Sequence, residues 1–540
     1  MKIAQEVSKD KLRGGYYTGE AIVDACYDIL STTIDRRENL AFLEPAAGDG
    51  AFVDGLCRAA KRGLFPRARI DCVEVVEEEA AKCQDRLHAS RLKGSVSAAS
   101  FFEWLNDHSG IFDALVGNPP YVRYQFVPDN DRKLAEQALD SRGYGLHGVS
   151  NFWIPFVLLS FESLRLGGAF AFVLPSELLA TSSAKVVRST LVKNFEELSL
   201  HFFPRGSFRG VLQDIVIVSG RRATHSDARE IRFVEHDKGQ VRQWSHRVPA
   251  TGEAWTRFLL TRKELEAVAI AEQLPGFVRL SSVARIGVAI VTGANDFFTV
   301  DDATIQAYKL QRWARPLLAR TADSLGICFY KRDHIAARKD GRKAWILDFS
   351  ADRSNPLRSP SAAYYLQQGE VQDLQSRYKC RIRDPWYRVP HIRTGRILLT
   401  KRSHRHPRLL FNSAGVFTTD TIYRGEMLSP HKSRLRDFIA GFHNSLTMLS
   451  AELEGRTYGG GVLELVPTEV GRLLVPLLPL GNHLRDLDNI SRDAGGQADS
   501  TDALVAATDQ VLLRSLPNAK PIFETIITAR ARLMDRRFAR

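Results

Sequence analysis

Short apolar segments alternate with helical patterns over the first 120 residues, and this alternation most limits what the chain can fold into. Buried strands are predicted at 40–43, 69–75 and around 96–98, with helical patterns between them. A fourth apolar run, 111–117, ends where two prolines prevent further pairing. Strands joined through helices pair in parallel. The spacing therefore predicts an α/β fold with a doubly wound, mixed but mostly parallel sheet.

Length and composition indicate a protein of more than one domain. A chain of 540 residues is too long for one hydrophobic core, so two or three domains are expected. The apolar fraction of 44% is that of an ordinary globular protein. No signal-peptide pattern or membrane-length apolar window is present, and the six scattered cysteines predict reduced thiols. We expect a cytoplasmic protein with no membrane association and no metal site, and a monomer.

The charge is concentrated in the second part of the chain. Residues 1–240 carry a net charge of −2 and residues 241–540 one of +15, which accounts for the whole surplus of +13. The polar stretch 221–243 is interpreted as the boundary between two domains. A basic second domain beside a near-neutral first one favours a polyanionic partner, although a solvated basic surface has the same composition.

A turn of small residues follows the first predicted strand. Glu44-Pro45-Ala46-Ala47-Gly48-Asp49-Gly50-Ala51-Phe52 leads directly into a helical pattern, which is an arrangement typical of nucleotide binding. The acids at each side of the glycines would repel a pyrophosphate. They suit a ligand that carries an ammonium group and a ribose diol, such as S-adenosylmethionine.

Two further positions extend this predicted ligand site. Thr18 precedes a helical pattern and is predicted to be its N-cap, so that the helix N-terminus closes over a small ligand. Glu74 stands at the end of the second strand. In nucleotide-binding folds, an acid at about this distance past the glycine-containing turn (here residues 44–52, called the glycine turn) accepts hydrogen bonds from the ribose hydroxyls.

The tetrapeptide Asn118-Pro119-Pro120-Tyr121 follows the fourth strand, at the edge where open α/β sheets bind ligands. It would present an amide, one or two unpaired carbonyls and an aromatic face to a planar substrate. Two acceptors and a stacking ring suit an exocyclic amine. Each residue also has an ordinary structural interpretation as a turn or core residue.

Taken in order, these motifs resemble the gamma class of N6-adenine DNA methyltransferases. The resemblance covers about the first 220 residues and includes Gly167–Glu177 and Phe208–Val218. It implies a class I methyltransferase fold on residues 1–240 and an α+β target-recognition domain with a helical tail on residues 241–540. The implied cofactor is S-adenosylmethionine, bound by Tyr17, Thr18, Glu44, Pro45, Ala46, Gly48, Gly50, Phe52, Glu74, Ser100, Phe101, Asn118 and Pro120. Ser100 stands where the family usually has an aspartate.

The resemblance also implies the reaction and the residues that carry it out. The methyl group would pass to the N6 amine of an adenine flipped out of duplex DNA. Asn118, Pro119, Pro120 and Tyr121 would hold the amine and the base, and Phe208 would stack on the other face. Phe203 is a competitor of Phe208, whose spacing to the final strand fits better.

A dense group of basic and aromatic residues in the second part is the predicted DNA contact. This pattern suits phosphate contact combined with base reading. Its members are Lys379, Arg381, Arg383, Trp386, Tyr387, Arg388, Lys401, Arg402 and Arg405. His404 and His406 beside them are interpreted as surface histidines. Residues 485–502 are predicted to be a loop, and the tail from about 503 to be helical.

Two other functions are compatible with parts of the sequence. The same tetrapeptide serves enzymes that methylate ribosomal RNA guanine or a protein glutamine amide, although those have no need of a long basic C-terminal part. A non-enzymatic DNA-binding protein would not require intact Asn118 and Glu74. No nuclease motif is recognised. Double-stranded DNA is the expected partner, and a separate restriction endonuclease or defence-system subunit is a further candidate.

Overall fold

The structure is a computed structural model that describes residues 18–34, 39–144, 151–203, 215–237, 239–350, 354–458, 460–495 and 498–538. It divides into two compact units, one up to Arg262 and one over Lys263–Arg537. The expected boundary at 240 therefore lies within the first unit as the structure divides it.

The first unit is built on a nine-stranded sheet. Its strands are β1 (Ala41–Glu44), β2 (Arg69–Glu74), β3 (Lys93–Ala98), β4 (Phe112–Gly117), β5 (Leu164–Pro175), β6 (Phe195–Phe202), β7 (Ile215–Arg222), β8 (Ala228–Asp237) and β9 (Gln240–Pro249). They lie in the order β3-β2-β1-β4-β5-β7-β6-β8-β9. Strands β1 to β5 pair in parallel, and β7 runs antiparallel to both of its neighbours. This order confirms the predicted α/β fold with a mostly parallel sheet.

The strand order reverses between β1 and β4, which places a crevice at their carboxyl ends. Phe42 pairs with Ala114 there, and Leu43 with Leu115. Both strands are buried on their two faces, which explains why each is a continuous apolar run without alternation.

Helices cover the sheet. They are α1 (Glu20–Thr33), α2 (Ala51–Lys61), α3 (Glu77–Ser90), α4 (Phe101–Trp104), α5 (Asp129–Asp140), α6 (Trp153–Ser163) and α7 (Lys185–Asn194). Helix α1 shows why they form: Ile22, Cys26, Tyr27 and Leu30 recur at helical spacing and are all buried. They join residues of β1 and β4 in one core cluster.

The polar stretch 221–243, which was interpreted as a domain boundary, instead belongs to the sheet of the first unit. Residues 228–249 form β8 and β9, which extend the sheet beyond β6. Their alternation is incomplete because only a few positions, such as Ile231, Phe233 and Val248, are buried. The opposite face stays polar, so the segment has the composition of a linker.

The second unit contains small sheets connected by helices, as expected for an α+β domain. Its strands are β10 (Phe277–Arg279), β11 (Ala284–Gly287), β12 (Thr299–Val300), β13 (Ala314–Pro316), β14 (Cys328–Phe329), β15 (Trp345–Leu347), β16 (Ile397–Thr400), β17 (Arg402–Ser403), β18 (Leu409–Asn412), β19 (Ile422–Met427), β20 (Arg456–Tyr458), β21 (Val462–Glu464) and β22 (Leu474–Pro476). The largest sheet has the order β11-β19-β16-β18-β14.

Its helices run from α8 to α20. They are α8 (Arg262–Ala271), α9 (Leu280–Val283), α10 (Asn295–Phe298), α11 (Asp302–Ala307), α12 (Lys331–Lys339), α13 (Pro360–Val371), α14 (Tyr378–Arg381), α15 (Leu435–Phe442), α16 (Ser445–Glu454), α17 (Pro467–Arg472), α18 (Leu484–Asp493), α19 (Ala498–Ser515) and α20 (Lys520–Phe538). None of the helices that the structure describes is both long and apolar enough to span a membrane.

The prediction of a loop over 485–502 is wrong for the described residues, because α18 occupies most of this range. Leu484, Leu487, Asp488 and Ser491 form its buried face, so half of that face is polar and the segment has the composition of a loop. The helical tail is confirmed, with an interruption between α19 and α20 at Pro517.

Candidate active site

Three parallel strands bring most of the predicted ligand-binding residues to one edge of the sheet. Strand β1 ends at Glu44, β2 ends at Glu74, and β4 ends immediately before Asn118. The carboxyl ends of parallel strands lie at the same edge, which is where open α/β sheets bind ligands.

The glycine turn after β1 leaves open space above its backbone. Gly48 and Gly50 have φ angles of +53° and +88°, in the region that favours glycine. A Cβ atom on Gly50 would lie 3.0 Å from Cys83, whereas one on Gly48 would meet nothing within 4 Å. A ligand can therefore approach the backbone at Gly48, and Gly50 allows close packing of the turn on α3.

Glu74 is fixed to this turn by its carboxylate. Oε2 accepts a hydrogen bond from the backbone N–H of Gly48 at 2.8 Å, and Oε1 accepts one from Val76 at 2.9 Å. Burial raises the pKa of the carboxyl, and the backbone hydrogen bonds oppose that effect. Each oxygen keeps a second lone pair, so the carboxylate remains able to accept hydrogen bonds from a diol.

The two acids beside the glycines differ in their surroundings. Asp49 forms a salt bridge with Arg86 at 2.5 Å. Glu44 is only 2% exposed, and its Oε2 has no hydrogen-bond partner in the described part of the chain. Burial raises the pKa of Glu44 well above its usual range, and Cys83, Glu74 and Asp49 add to the effect. Glu44 is thus a buried acceptor in need of a cationic or donor partner.

Replacing Glu44 with glutamine should stabilise the free protein in a pH-dependent manner. The pKa of the Glu44 carboxyl is higher in the folded than in the unfolded state. The carboxyl therefore contributes fully to stability below its unfolded-state pKa, and this contribution is lost as the pH rises through its folded-state pKa. We expect the melting temperature of Glu44→Gln to exceed that of the wild type at pH 8 and to match it near pH 4. In a unit of this size each 1 kcal/mol corresponds to roughly 2–4 °C.

Thermal unfolding followed by circular dichroism at a series of pH values would measure this difference. Glu78→Gln is the matched control, since Glu78 is an exposed acid of the same unit. If the melting temperatures of Glu44→Gln and the wild type differed by the same amount at every pH, the raised pKa assigned to Glu44 would be contradicted.

Asn118 makes a contact that the sequence did not predict. Its Nδ2 donates a hydrogen bond to Thr18 Oγ1 at 3.1 Å, across 100 positions of sequence. The predicted N-cap role of Thr18 is wrong: Gly19 is the N-cap of α1, and no side chain caps that helix. The Thr18 hydroxyl instead fixes the orientation of the Asn118 amide.

Two acceptors at the end of β4 lack a hydrogen-bond partner in the described part of the chain. Asn118 Oδ1 is buried and has no hydrogen-bond partner among the described residues. The carbonyl of Pro119 likewise accepts no hydrogen bond from the described part of the chain. Buried acceptors of this kind cost free energy unless a ligand supplies donors.

The other residues of the tetrapeptide are held rigidly. Pro119 is buried and Pro120 half-buried. The hydroxyl of Tyr121 donates to the carbonyl of Val173 in β5 at 2.7 Å, and burial raises the pKa of that hydroxyl. The ring is therefore tied at its far end to the neighbouring strand.

A polar network beside Tyr121 was also missed by the sequence interpretation. Glu177 follows β5, and its Oε1 accepts from Asn151 Nδ2 at 3.1 Å and from Trp153 Nε1 at 2.7 Å. Glu177 contributes to the raised pKa of Tyr121. The position of Glu177 shortly after a parallel strand was the signal in the sequence that could have identified it as a site residue.

Several predicted cofactor contacts have other surroundings in the structure. Phe52 is buried in the core, and Tyr27 donates to its carbonyl at 2.8 Å. Phe101 is buried and stacks on Phe156 with 5.7 Å between ring centroids. Neither placement supports direct ligand contact by these side chains. Ser100 is half-buried, and its hydroxyl has no hydrogen bond within the described residues. Tyr17 and Phe208 lie outside the described residues.

The predicted DNA-binding group divides into exposed and internally engaged members. Lys379, Arg381 and Arg388 are exposed, and none of them pairs with a carboxylate of the described residues. Arg383 instead donates to the carbonyls of Val291 and Thr292 at 2.8 and 2.6 Å.

The remaining members are also occupied within the unit. Trp386 packs on Phe297, and Tyr387 is only 7% exposed. The basic members have acidic partners: Lys401 and Arg402 contact Glu464, and Arg405 contacts Asp502. Asp502 also accepts from His406, which is buried, so the predicted surface position of that histidine is wrong.

Comparison with known proteins identifies the family. Residues 69–208 match the family described as Eco57I restriction-modification methylase. Residues 252–513 match the C-terminal domain of type II methyltransferase M.Eco57I. The chain belongs to the Eco57I family of type II DNA methyltransferases.

Two type II methyltransferases are similar to the chain over most of its length. Type II methyltransferase M.AccI of Acinetobacter calcoaceticus is 20% identical over 461 residues, which are 83% of this chain and 82% of that protein. M.XamI of Xanthomonas campestris pv. amaranthicola is 21% identical over 489 residues, with 86% and 85% of the two chains covered.

A solved structure shares the fold. The type IIL restriction-modification enzyme MmeI, solved in complex with DNA, aligns with a TM-score of 0.52 and 13% identity. The alignment covers 96% of this chain and 72% of MmeI. At this identity the likeness shows a common fold for the Eco57I-family chain and MmeI, and no more.

Proposed function

We propose that the protein transfers a methyl group from S-adenosylmethionine to the N6 amine of an adenine that is flipped out of duplex DNA. The observation that carries this proposal is a pair of acceptors at the end of β4, Asn118 Oδ1 and the Pro119 carbonyl, that no described residue donates to. An exocyclic amine has two hydrogens, and two acceptors at one site match them.

The acceptors would also activate the amine. The lone pair of an adenine amine is delocalised into the ring, which makes the nitrogen a poor nucleophile. Hydrogen bonds from the amine to Asn118 Oδ1 and to the Pro119 carbonyl draw the nitrogen toward a tetrahedral geometry, so the lone pair becomes available. No strong base is needed before attack, because the proton can leave after the methyl group has arrived.

The residues beside the glycine turn fit the cofactor. The unpaired Oε2 of Glu44 suits the ammonium group, and the free lone pairs of Glu74 suit the ribose diol. The hydroxyl of Ser100 is available to the adenine amine of the cofactor. S-adenosylmethionine supplies an electrophilic methyl group, so the main task of these residues is to position it for in-line displacement.

Base flipping is needed because a duplex hides the amine within the base stack. Extrusion costs a few kcal/mol, and each aromatic face that stacks on the base returns about 1–3 kcal/mol. Tyr121 provides one face, with its hydroxyl held by Val173. We assign the other face to Phe208, on the basis of the family resemblance.

The second unit supplies the reason to prefer DNA as the substrate. Its exposed cations Lys379, Arg381 and Arg388 lack acidic partners among the described residues, so they are free to contact phosphates. The relatives M.AccI and M.XamI are type II methyltransferases, and one matching family is that of restriction-modification methylases. We assign target recognition to the second unit and expect a separate restriction endonuclease as the biological counterpart.

Removing the three exposed cations should weaken DNA binding and flatten its salt dependence. Each phosphate contact contributes about 0.9 to the slope of log K against log salt concentration. The variant with Lys379→Ala, Arg381→Ala and Arg388→Ala should therefore have a slope smaller by roughly 2–3. Fluorescence anisotropy with labelled duplex DNA at several salt concentrations measures it.

Arg402→Ala is the matched control for this experiment. Arg402 is also exposed, but its guanidinium already pairs with Glu464 at 2.7 Å. Its loss should leave the slope near the wild-type value. An unchanged slope in the triple variant would show that this surface does not contact phosphates.

The function is tested by mapping methylated bases in cells that express the protein. Sequencing that detects N6-methyladenine should show one recognition sequence modified in cells with the wild type and unmodified in cells with Asn118→Ala. Methyl groups found on ribosomal RNA or on a protein glutamine, with none on DNA, would overturn the proposal in favour of the alternative methyltransferase functions.

A further inference from the structure

An exposed apolar pair lies within the basic surface of the second unit. The segment Arg377–Ile382, here called the 377–382 ridge, contains the short helix α14. Tyr378 and Ile382 are each 63% exposed, although large apolar side chains usually avoid water. They are four positions apart, which places two side chains on the same side of a helical turn.

The ridge is seated firmly on the unit beneath it. Cys380 is fully buried between the exposed residues, and Arg383 holds the following turn through the carbonyls of Val291 and Thr292. Gly293 has a φ of +82°, and a Cβ atom there would lie 2.9 Å from Lys379 and 3.1 Å from Cys380. The exposed side chains are therefore presented on a fixed backbone.

Three cations surround the apolar pair. Arg377, Lys379 and Arg381 are exposed, and no carboxylate of the described residues pairs with them. The ammonium group of Lys379 lies 5.0 Å from the centre of the Tyr378 ring. The nearest acids along the chain, Asp373 and Asp384, form no ion pair with the ridge. The charge is complementary to a polyanion.

The small apolar area and the positive charge of the 377–382 ridge together indicate which class of partner it can bind. A stable protein interface buries about 800 Å² on each side, which is far more than two side chains provide. Proteins that deform DNA insert one or two apolar side chains between base steps, and cations beside them contact the phosphates. The ridge has this composition.

We propose that Tyr378 and Ile382 act as a wedge that enters the base stack of bound duplex DNA. Arg377, Lys379 and Arg381 would contact the phosphates at either side of the insertion. The wedge unstacks a base step and makes the duplex easier to deform, which favours extrusion of a base elsewhere in the site. This inference rests on the proposed function, since it requires duplex DNA as the substrate.

The double variant Tyr378→Ala with Ile382→Ala separates a wedge from a phosphate contact. We expect binding to the recognition duplex to weaken about tenfold or more, while the slope of log K against log salt concentration stays at the wild-type value. No charge is removed, so a change in slope would contradict a wedge. Tyr378→Trp with Ile382→Met keeps apolar bulk and should restore most of the affinity.

Leu166→Ala is the control for removing an exposed apolar side chain. Leu166 is 67% exposed near the amino-terminal end of β5, at the edge of the sheet opposite Asn118. It should bind DNA as the wild type does. Because the ridge side chains are exposed, the melting temperature of the double variant should also be unchanged, and a lower one would indicate a structural role instead.

Fluorescence of 2-aminopurine tests insertion directly. The probe is placed in turn at each position of the recognition duplex other than the target adenine. With the wild type, at least one of these positions should brighten as its stacking is lost, and the double variant should lose that signal. Wild-type binding without such a signal at any position would overturn the wedge. A wild type that methylates no duplex DNA would refute the proposed function itself, which the mapping experiment detects independently.

Discussion

Asn118→Ala should reduce methylation of duplex DNA by at least about 10²–10³-fold while cofactor binding stays within several-fold. The magnitude is that of removing one preorganised hydrogen-bonding group from a transition state. The amide donates its hydrogen bond to Thr18, whereas Glu74 is held by the backbone of Gly48, so its loss should leave the glycine turn and Glu74 in place. Transfer of a radioactive methyl group to DNA and calorimetric titration with the cofactor measure the two effects separately.

Thr18→Val is the companion variant for this experiment. It removes the acceptor that holds Asn118 Nδ2, so Oδ1, the proposed acceptor for the adenine amine, is present but unoriented. We expect a smaller loss of turnover than for Asn118→Ala, with the same retained cofactor binding. Normal turnover by Asn118→Ala would refute the mechanism, and normal turnover by Thr18→Val alone would refute only the orienting role of Thr18.

Glu74→Ala should weaken cofactor binding by about 10–100-fold. The substitution removes the acceptor proposed for the ribose diol and leaves the backbone N–H groups of Gly48 and Val76 without their partner. An unsatisfied buried donor costs about 1–3 kcal/mol, and each 1.4 kcal/mol is a factor of ten in affinity. Calorimetric titration with S-adenosylmethionine measures the loss.

Glu78→Ala is the matched control for the ribose contact. Glu78 belongs to the same acidic run, but it is an exposed residue in the first turn of α3. It should bind the cofactor normally. Equal losses in both variants would show that the general negative charge of this region matters and that the specific position of Glu74 does not. Unchanged binding in Glu74→Ala would contradict its assignment.

The two experiments together separate cofactor binding from catalysis. Glu74 ties the end of β2 to the glycine turn, whereas Asn118 stands at the end of β4 and contacts the residue before α1. The structure therefore predicts that one variant loses affinity for the cofactor and that the other loses turnover at saturating cofactor.

Much of the first unit was predictable because its strands are buried on both faces. Strands β1 and β4 are continuous apolar runs that end at residues of a recognisable type, Glu44 and Asn118. The spacing of helices between them implied parallel pairing, and parallel pairing places their ends at one edge. The prediction did less well for β8 and β9, since a strand with one solvated face and few buried positions resembles a linker.

The basic region shows a different limit of sequence reasoning. Lys379, Arg381 and Arg383 are equivalent in composition, yet Arg383 is turned inward to two backbone carbonyls while the others are exposed. Lys401, Arg402 and Arg405 have partners more than 60 positions away. Which cations are free to contact a ligand depends on long-range neighbours that local sequence does not reveal.

The sequence alone determined the fold class, the edge of the sheet proposed to bind the ligands and the identity of the residues that end β1, β2 and β4. These follow from hydrophobic pattern and strand spacing, which are local properties. The tertiary structure decided the orientations: Thr18 holds the Asn118 amide and Arg86 neutralises Asp49, whereas Asn118 Oδ1 and Glu44 Oε2 have no partner among the residues that the structure describes. The physical reason is that a hydrogen bond or ion pair depends on distances between atoms that the fold brings together from distant parts of the chain.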